Sequence, residues 1–342
     1  MDAPVARIPQ LVYGVEIGPD RVAEANVTVA APGGRYFEVS PATARLLRAV
    51  DGRRTISDIA RLLSSDAAAV APDAIAELID RTLVAPGLVH FGVPPAPQPA
   101  PRSRLWLRIP LVPASVVNAL AAPFRWVFSR PVAIGIVVAG LAAHAWFYAS
   151  RPDFGPGFRI GDLAGWIVPA AWFVLATLLH EFGHAAALRS RGESAGVIGF
   201  GVYWIWPVLF SDVSRAWQLE RRQRTLVDAG GMLVQLGVAA GFIAGWARSH
   251  DVALARAILL TDLALVANLN PLLRWDGYWL LVDLTGMTDL RRRSLEHAGA
   301  LLRGRAVSVP WAVRVYTLGS ALFSAIFVLW AALRLLHPSR SD

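Results

Sequence analysis

The chain of 342 residues contains no cysteine and no lysine. The lack of cysteine excludes disulfide bonds, thiolate zinc sites and a cysteine nucleophile, so any metal must be bound by His, Asp or Glu. All 33 basic residues are therefore arginine, and they exceed the 25 acidic residues to give a net charge of +8. Charged residues make up only 17% of the chain and hydrophobic residues 55%, which favours a membrane protein over a soluble enzyme.

The N-terminus also lacks the apolar run of a secretory signal, so we expect the first domain to stay in the cytoplasm. Residues 1–93 have the mixed composition of a soluble domain, and residues 94–104, PPAPQPAPRSR, predict an extended proline-rich linker. Residues 105–130, with tryptophans and scattered arginines, predict a segment that lies on the membrane surface. Residues 131–342 are predicted to form a transmembrane domain, so the fold class expected is mainly α with a small N-terminal α/β domain.

The N-terminal domain is predicted to place three short strands before three helices. Segments rich in β-branched or aromatic residues predict the strands, at Leu11 to Val15, Val27 to Ala30 and Arg35 to Val39. The first helix begins at Pro41 behind Ser40 as N-cap, and the second begins behind a capping box of Thr55 and Asp58. A third helix is predicted over Pro72 to Thr82. This order predicts a winged-helix-like module.

The stretch FEVSPATARLLRAVDGRRTISDIARLL, residues 37–63, resembles PqqD-like leader-recognition domains. The resemblance implies that residues 1–93 bind the leader of a ribosomally made precursor peptide as an added strand at the sheet edge. The ligand would then lie between the strand at Arg35 to Val39 and the helix at Pro72 to Thr82. A DNA-binding winged helix is the alternative, but the third helix offers only one arginine, so we expect no nucleic acid partner.

Five uncharged or nearly uncharged runs are long enough to cross a lipid bilayer. They are Pro131 to Ser150, Leu163 to Leu179, Ala229 to Ala247, Ala257 to Leu273, which is interrupted by Asp262, and Val315 to Leu333. A sixth run, Ser194 to Ser211, is rich in glycine and aromatic residues and contains Pro207, so it predicts a re-entrant hairpin lining a cavity. Arginine is concentrated in the loops that lie inside if the N-terminus is cytoplasmic, which predicts that orientation in the inner membrane.

The sequence HEFGH at 180–184 lies at the inner end of the second predicted span. His180 and His184 are one helical turn apart on the same face, so both imidazoles can bind one tetrahedral zinc ion. Glu181 lies beside them and can accept a proton from water at the metal, as a general base. Ionisable residues within an apolar run are costly to bury, which makes a function the expected explanation.

Several residues are candidates for a third zinc ligand. His144 lies in the outer half of the first span and Asp262 deep in the fourth, so neither is expected to reach the inner end of the second span, and each is expected to be a packing or cavity residue. Asp212, which follows the re-entrant run, remains a candidate. Asp276 is better placed, because it marks the inner end of the fourth span at the depth of the two histidines, and Gly277 after it permits close backbone approach.

HEFGH at 180–184 together with NLNPLLRWDGY at 268–278 resembles the site-2 protease family of intramembrane zinc proteases. The resemblance implies that Asp276 is the third zinc ligand. It also implies that Asn268 and Pro271 shape the substrate-binding side of the cleft. The third span departs from the common family pattern, and Gln235 is its one polar candidate for handling substrate.

Together, the two resemblances imply a maturation protease for ribosomally synthesised peptides, including the daptide type. The expected reaction is removal of a leader, with the N-terminal domain raising the effective concentration of the cleavage site at the membrane. One alternative is a regulatory intramembrane protease that cuts a transmembrane client such as an anti-sigma factor. Another is a non-enzymatic exporter or immunity component, although the intact His, Glu, His and Asp set argues against it.

Overall fold

The fold is mainly α-helical, as the sequence predicts, with a few small β-sheets. The structure is a computed structural model that describes residues 6–19, 26–32, 35–64, 69–93, 105–155, 163–203, 206–287, 290–305 and 307–336, without the side chains of 203 and 327–336. The predicted linker at 94–104 lies outside these residues. The chain divides into two compact units, Met1–Leu107 with Val202–Trp206 and Arg108–Gly201 with Pro207–Asp342.

The first unit packs three helices against short strands. The strands are β1 (Pro9–Leu11), β2 (Glu16–Ile17), β3 (Val27–Ala31), β4 (Arg35–Val39) and β5 (Val89–Phe91), and the helices are α1 (Pro41–Ala49), α2 (Ile56–Leu63) and α3 (Pro72–Leu78), which continues as a π-helical stretch, Ile79–Val84. β2, β3 and β4 form one antiparallel sheet in that order, and β1 pairs with β5. Leu47, Ile56 and Ile59 are fully buried in the core of this unit.

Thr55 and Asp58 form a capping box at the start of α2, as the sequence predicts. The Thr55 hydroxyl and backbone N–H both donate hydrogen bonds to Asp58, and these bonds hold the pKa of that carboxyl below its usual range.

The predicted strand at Leu11 to Val15 is wrong, because the Val15 N–H donates to the Val12 carbonyl in a turn that separates β1 from β2. Gly14 permits that turn through its φ of +86°.

Four helices in the described residues are long and apolar enough to cross a membrane: α5 (Arg130–Ala149), α6 (Ala164–Ser190), α7 (Arg221–Ser249) and α8 (Val252–Leu269). They are followed by α9 (Asp276–Thr285), α10 (Leu290–Leu302) and α11 (Trp311–Leu336), which contains the predicted fifth span. The fifth span stays a prediction, since the side chains at the end of α11 are outside the described residues. The orientation of the N-terminus likewise stays a prediction.

The predicted membrane-surface segment and the predicted re-entrant run both contain β-structure. Residues 105–130 form β6 (Leu105–Val112), α4 (Ala114–Ala121) and a 3₁₀ helix, Ala122–Phe128, and their large exposed side chains include Trp106 and Trp126. The run predicted as a re-entrant hairpin forms β7 (Ile198–Tyr203) and β8 (Trp206–Ser211). β6, β7 and β8 make one three-stranded sheet in that order.

Candidate metal centre

The two histidines of the HEFGH sequence lie in the second half of α6. His180 and His184 are one turn apart and both are buried, with relative exposures of 3% and 6%. Their Nε2 atoms are 3.1 Å apart, so the two imidazoles converge on one point. The helix therefore presents them as the sequence spacing predicts.

Helix α7 packs directly against this part of α6. A Cβ added to Gly183 would lie 2.5 Å from the carbonyl oxygen of Gly230, so the two backbones approach as closely as glycine allows. Because of this close approach, hydrogen-bond acceptors on α7 reach the Nδ1 atoms of both histidines.

Both Nδ1 atoms donate hydrogen bonds to acceptors on α7. His184 Nδ1–H donates to the Val227 carbonyl oxygen at 2.7 Å, and His180 Nδ1–H donates to Oε1 of Gln235 at 2.8 Å. Gln235 Nε2 in turn lies 3.4 Å from the Thr261 carbonyl oxygen, which fixes the orientation of its amide. With the protons on Nδ1, the two Nε2 lone pairs face the same point, which is the arrangement that a shared metal ion needs.

Asp276 supplies a third donor atom at the same point. Its Oδ2 lies 2.8 Å from His180 Nε2 and 3.4 Å from His184 Nε2. This oxygen atom is buried, and neither contact has the angles of a good hydrogen bond. The residue is the first of α9, so it follows the loop after α8 and does not mark the end of the fourth span as predicted. Gly277 permits this placement, since a Cβ there would collide with the backbone carbonyls of Leu269 and Asn268.

These three residues fit a zinc ion. Ligand nitrogens 2.0–2.1 Å from a tetrahedral zinc lie roughly 3.3 Å apart, close to the separations of the donor atoms observed here. All three donor atoms lie within 4.8 Å of one another. On α7, Gly231 leaves the necessary space, because a Cβ at that position would lie 2.6 Å from His180 Nε2 and would also collide with His184 Nε2. Two neutral nitrogens and one carboxylate leave one position open for water or substrate, as in catalytic zinc sites.

Glu181 lies next to the donor atoms and beside the sheet. It follows His180 on α6 and is partly buried. The backbone N–H of Ser211, at the end of β8, lies close to its carboxylate. The end of β8 therefore lies beside the predicted general base.

The other predicted residues occupy different places. Asp212 caps its own turn, with Oδ1 accepting from Ser214 N–H and hydroxyl, and it is not among the grouped donor atoms. Asn268 lies in the last turn of α8 and Pro271 in the loop before α9, on the approach to Asp276. Their roles toward substrate stay predictions.

His144 and Asp262 pair with each other. His144 Nε2 lies 2.9 Å from Asp262 Oδ1, and the Tyr148 hydroxyl donates to Asp262 Oδ2 at 2.7 Å. The two residues therefore join α5 to α8, and neither belongs to the grouped donor atoms.

Sequence comparison gives one informative relative. The chain is 25% identical over 134 residues to "Putative peptide zinc metalloprotease protein YydH" of Bacillus subtilis (strain 168). The match covers 39% of this chain and 53% of that protein. No protein-family model matches the chain, and no solved structure matches it. The similarity and the four apolar helices together support a membrane-associated zinc metalloprotease.

Proposed function

We propose that this chain is a membrane-embedded, site-2 protease-like zinc endopeptidase that removes the leader from a ribosomally synthesised, post-translationally modified precursor peptide. The observation that carries the proposal is the convergence of His180 Nε2, His184 Nε2 and Asp276 Oδ2 within 4.8 Å, next to Glu181. The similarity to a protein named as a peptide zinc metalloprotease supports the same reaction class.

The protein side chains divide the work of peptide hydrolysis. When bound, zinc supplies a Lewis acid that polarises the scissile carbonyl and lowers the pKa of water. His180, His184 and Asp276 hold the ion, and the hydrogen bonds from Nδ1 to Gln235 and Val227 keep both rings oriented. Glu181 accepts the proton of the attacking water and returns it to the leaving amine.

Leader recognition is assigned to the first unit. Among the described strands, β4 stands at the end of the order β2-β3-β4, and the leader would add as a further strand at this end of the sheet. Within residues 37–63, α1 and α2 begin at the Ser40 cap and the Thr55 capping box, and these are features of the stretch that resembles PqqD-like domains. Backbone hydrogen bonds to β4 would give affinity, and neighbouring side chains would set the register.

The decisive experiment is cleavage of a peptide encoded by a short reading frame beside this gene. Purified full-length protein in lipid nanodiscs is incubated with the synthetic peptide, and the products are identified by mass spectrometry. We expect one cut between leader and core that is abolished by a zinc chelator and by Glu181→Gln. Cleavage of a transmembrane anti-sigma factor with no cleavage of the peptide would favour the regulatory alternative.

A further inference from the structure

A buried ion pair joins α7 to α9 next to the metal centre. Arg224 Nε lies 3.1 Å and 3.2 Å from the two carboxylate oxygens of Asp283, and both side chains are 8% exposed. Arg224 Nη1 also donates to the Leu219 carbonyl oxygen at 3.2 Å, and its guanidinium lies over the ring of Trp217. Burying such a pair costs free energy, and Asp283 also shares a hydrogen bond with Asp228 of α7, so buried charged groups from both helices meet at this point.

The two partners share helix faces with the metal site. Asp283 lies seven residues after Asp276, which is two turns along the same face of α9 and roughly 10 Å along its axis. Arg224 occupies the same stripe of α7 as Val227, Gly231 and Gln235, at spacings of three or four residues. One end of this stripe therefore contacts the Nδ1 atoms of both histidines, and the other end contacts the Asp283 carboxylate on α9.

We infer that Arg224 and Asp283 are positioning residues, which hold α9 against α7 so that Asp276 reaches the two histidine nitrogens. Asp276 itself begins α9 after a non-helical loop, 270–275, and its side chain retains 23% exposure. A ligand at a helix start beside a loop is not fixed by its own helix alone. The Asp283 pair lies inside α9, where it anchors the helix rigidly to the element that orients both imidazoles.

The inference rests on the proposed zinc site and is tested with zinc alone. Zinc affinity of the full-length protein is measured by competition with a chromophoric chelator, without any peptide. We expect Asp283→Asn to weaken zinc binding roughly tenfold to a hundredfold, the range found when groups that orient ligands are removed. The matched control is Asp262→Asn, which removes the charge of a carboxylate that joins α5 to α8 through His144, and it should leave zinc affinity within about twofold.

A double-mutant cycle separates positioning from general damage. If Asp283 acts through Asp276, then in an Asp276→Asn background, which already weakens the third ligand but keeps an oxygen donor, Asp283→Asn should have little further effect on zinc affinity. Visible absorption of the cobalt-loaded protein gives a second readout, because Asp283→Asn and Asp276→Ala should change the coordination spectrum in the same way. Arg224→Lys, which keeps the charge but loses the paired geometry, provides a milder variant in case Asp283→Asn does not fold.

The outcomes are distinct. Wild-type protein that binds no zinc would overturn the proposed function itself. Wild-type binding that is matched by both Asp283→Asn and Arg224→Lys would overturn only the positioning role. Equal weakening by Asp283→Asn in the wild-type and Asp276→Asn backgrounds would also contradict it.

Discussion

The Nδ1–H of His180 donates to Oε1 of Gln235 across 2.8 Å, although Gln235 lies on a different helix, α7. This bond selects the ring tautomer whose Nε2 lone pair faces His184 and Asp276. Gln235 is 1% exposed, so it is walled off from an approaching peptide. The sequence indicated it as a candidate for substrate handling, whereas in the structure its side chain contacts Nδ1 of His180, a candidate zinc ligand.

Gln235→Leu should weaken zinc binding roughly tenfold to a hundredfold, because the buried Nδ1–H loses its acceptor. Gln235→Glu keeps an oxygen acceptor and should remain within a few fold of wild type. Chelator competition on the purified proteins measures both. Unchanged affinity in the leucine variant would show that the ring orientation does not depend on this bond.

Glu181→Gln should leave zinc content unchanged and reduce peptide cleavage roughly 10²- to 10⁴-fold, since the amide cannot accept a proton from water. Zinc content by elemental analysis and initial rates by mass spectrometry check the two parts. Glu296→Gln, at an exposed position on α10, is the control and should cleave normally. Near wild-type turnover by the Glu181 variant would remove the general-base role.

Asp276→Ala should strip zinc or greatly weaken its binding, because two imidazoles alone form an incomplete clamp. Asp212→Ala should retain the metal, since its carboxylate bonds to Ser214. Elemental analysis of both variants decides between the two candidates from the sequence. Full zinc in the first variant with loss in the second would transfer the third ligand to the segment after β8.

Gly231→Ala should abolish zinc binding, because the new methyl group would occupy the space between the two Nε2 atoms. Gly241→Ala is the matched control on the same helix, where an added Cβ meets nothing within 4 Å. Zinc content and thermal unfolding are compared for the two variants. If both retain zinc equally, the ion does not lie where the donor atoms converge.

Removal of residues 1–93 should leave a membrane protein that binds zinc but has lost affinity for a full-length precursor. The reason is that leader docking on β4 is proposed to supply the effective concentration at the active site. Fluorescence anisotropy with a labelled leader peptide measures the loss. Tight binding of a DNA duplex by the first unit, with none of the leader, would instead favour the winged-helix alternative.

The sequence predicted those parts of the site that depend on local periodicity. His180 and His184 lie on one face because a helix repeats every 3.6 residues, and the sequence HEFGH alone shows their spacing of four residues. Long apolar runs likewise predicted α5 to α8. They did not predict where the helices end, because α6 and α7 continue beyond their apolar runs.

Features that depend on distant pairing could not be predicted in the same way. β6 and β7 belong to one sheet although some ninety residues separate them, and no local pattern records that pairing. The glycines and aromatic residues around Gly199 suit either a re-entrant loop or a strand. The acceptor bonds of Val227 and Gln235 arise only when α7 lies against Gly183, which is a tertiary contact.

The ligand set is divided between α6 and α9, with α7 and α8 between them in the sequence. His180 and His184 are therefore synthesised before Asp276. Until Asp276 follows, the two histidines form only part of the proposed clamp, and the Arg224 side chain has no Asp283 to meet. The proposed centre can therefore bind a metal ion firmly only after α9 has been made and has packed against α7.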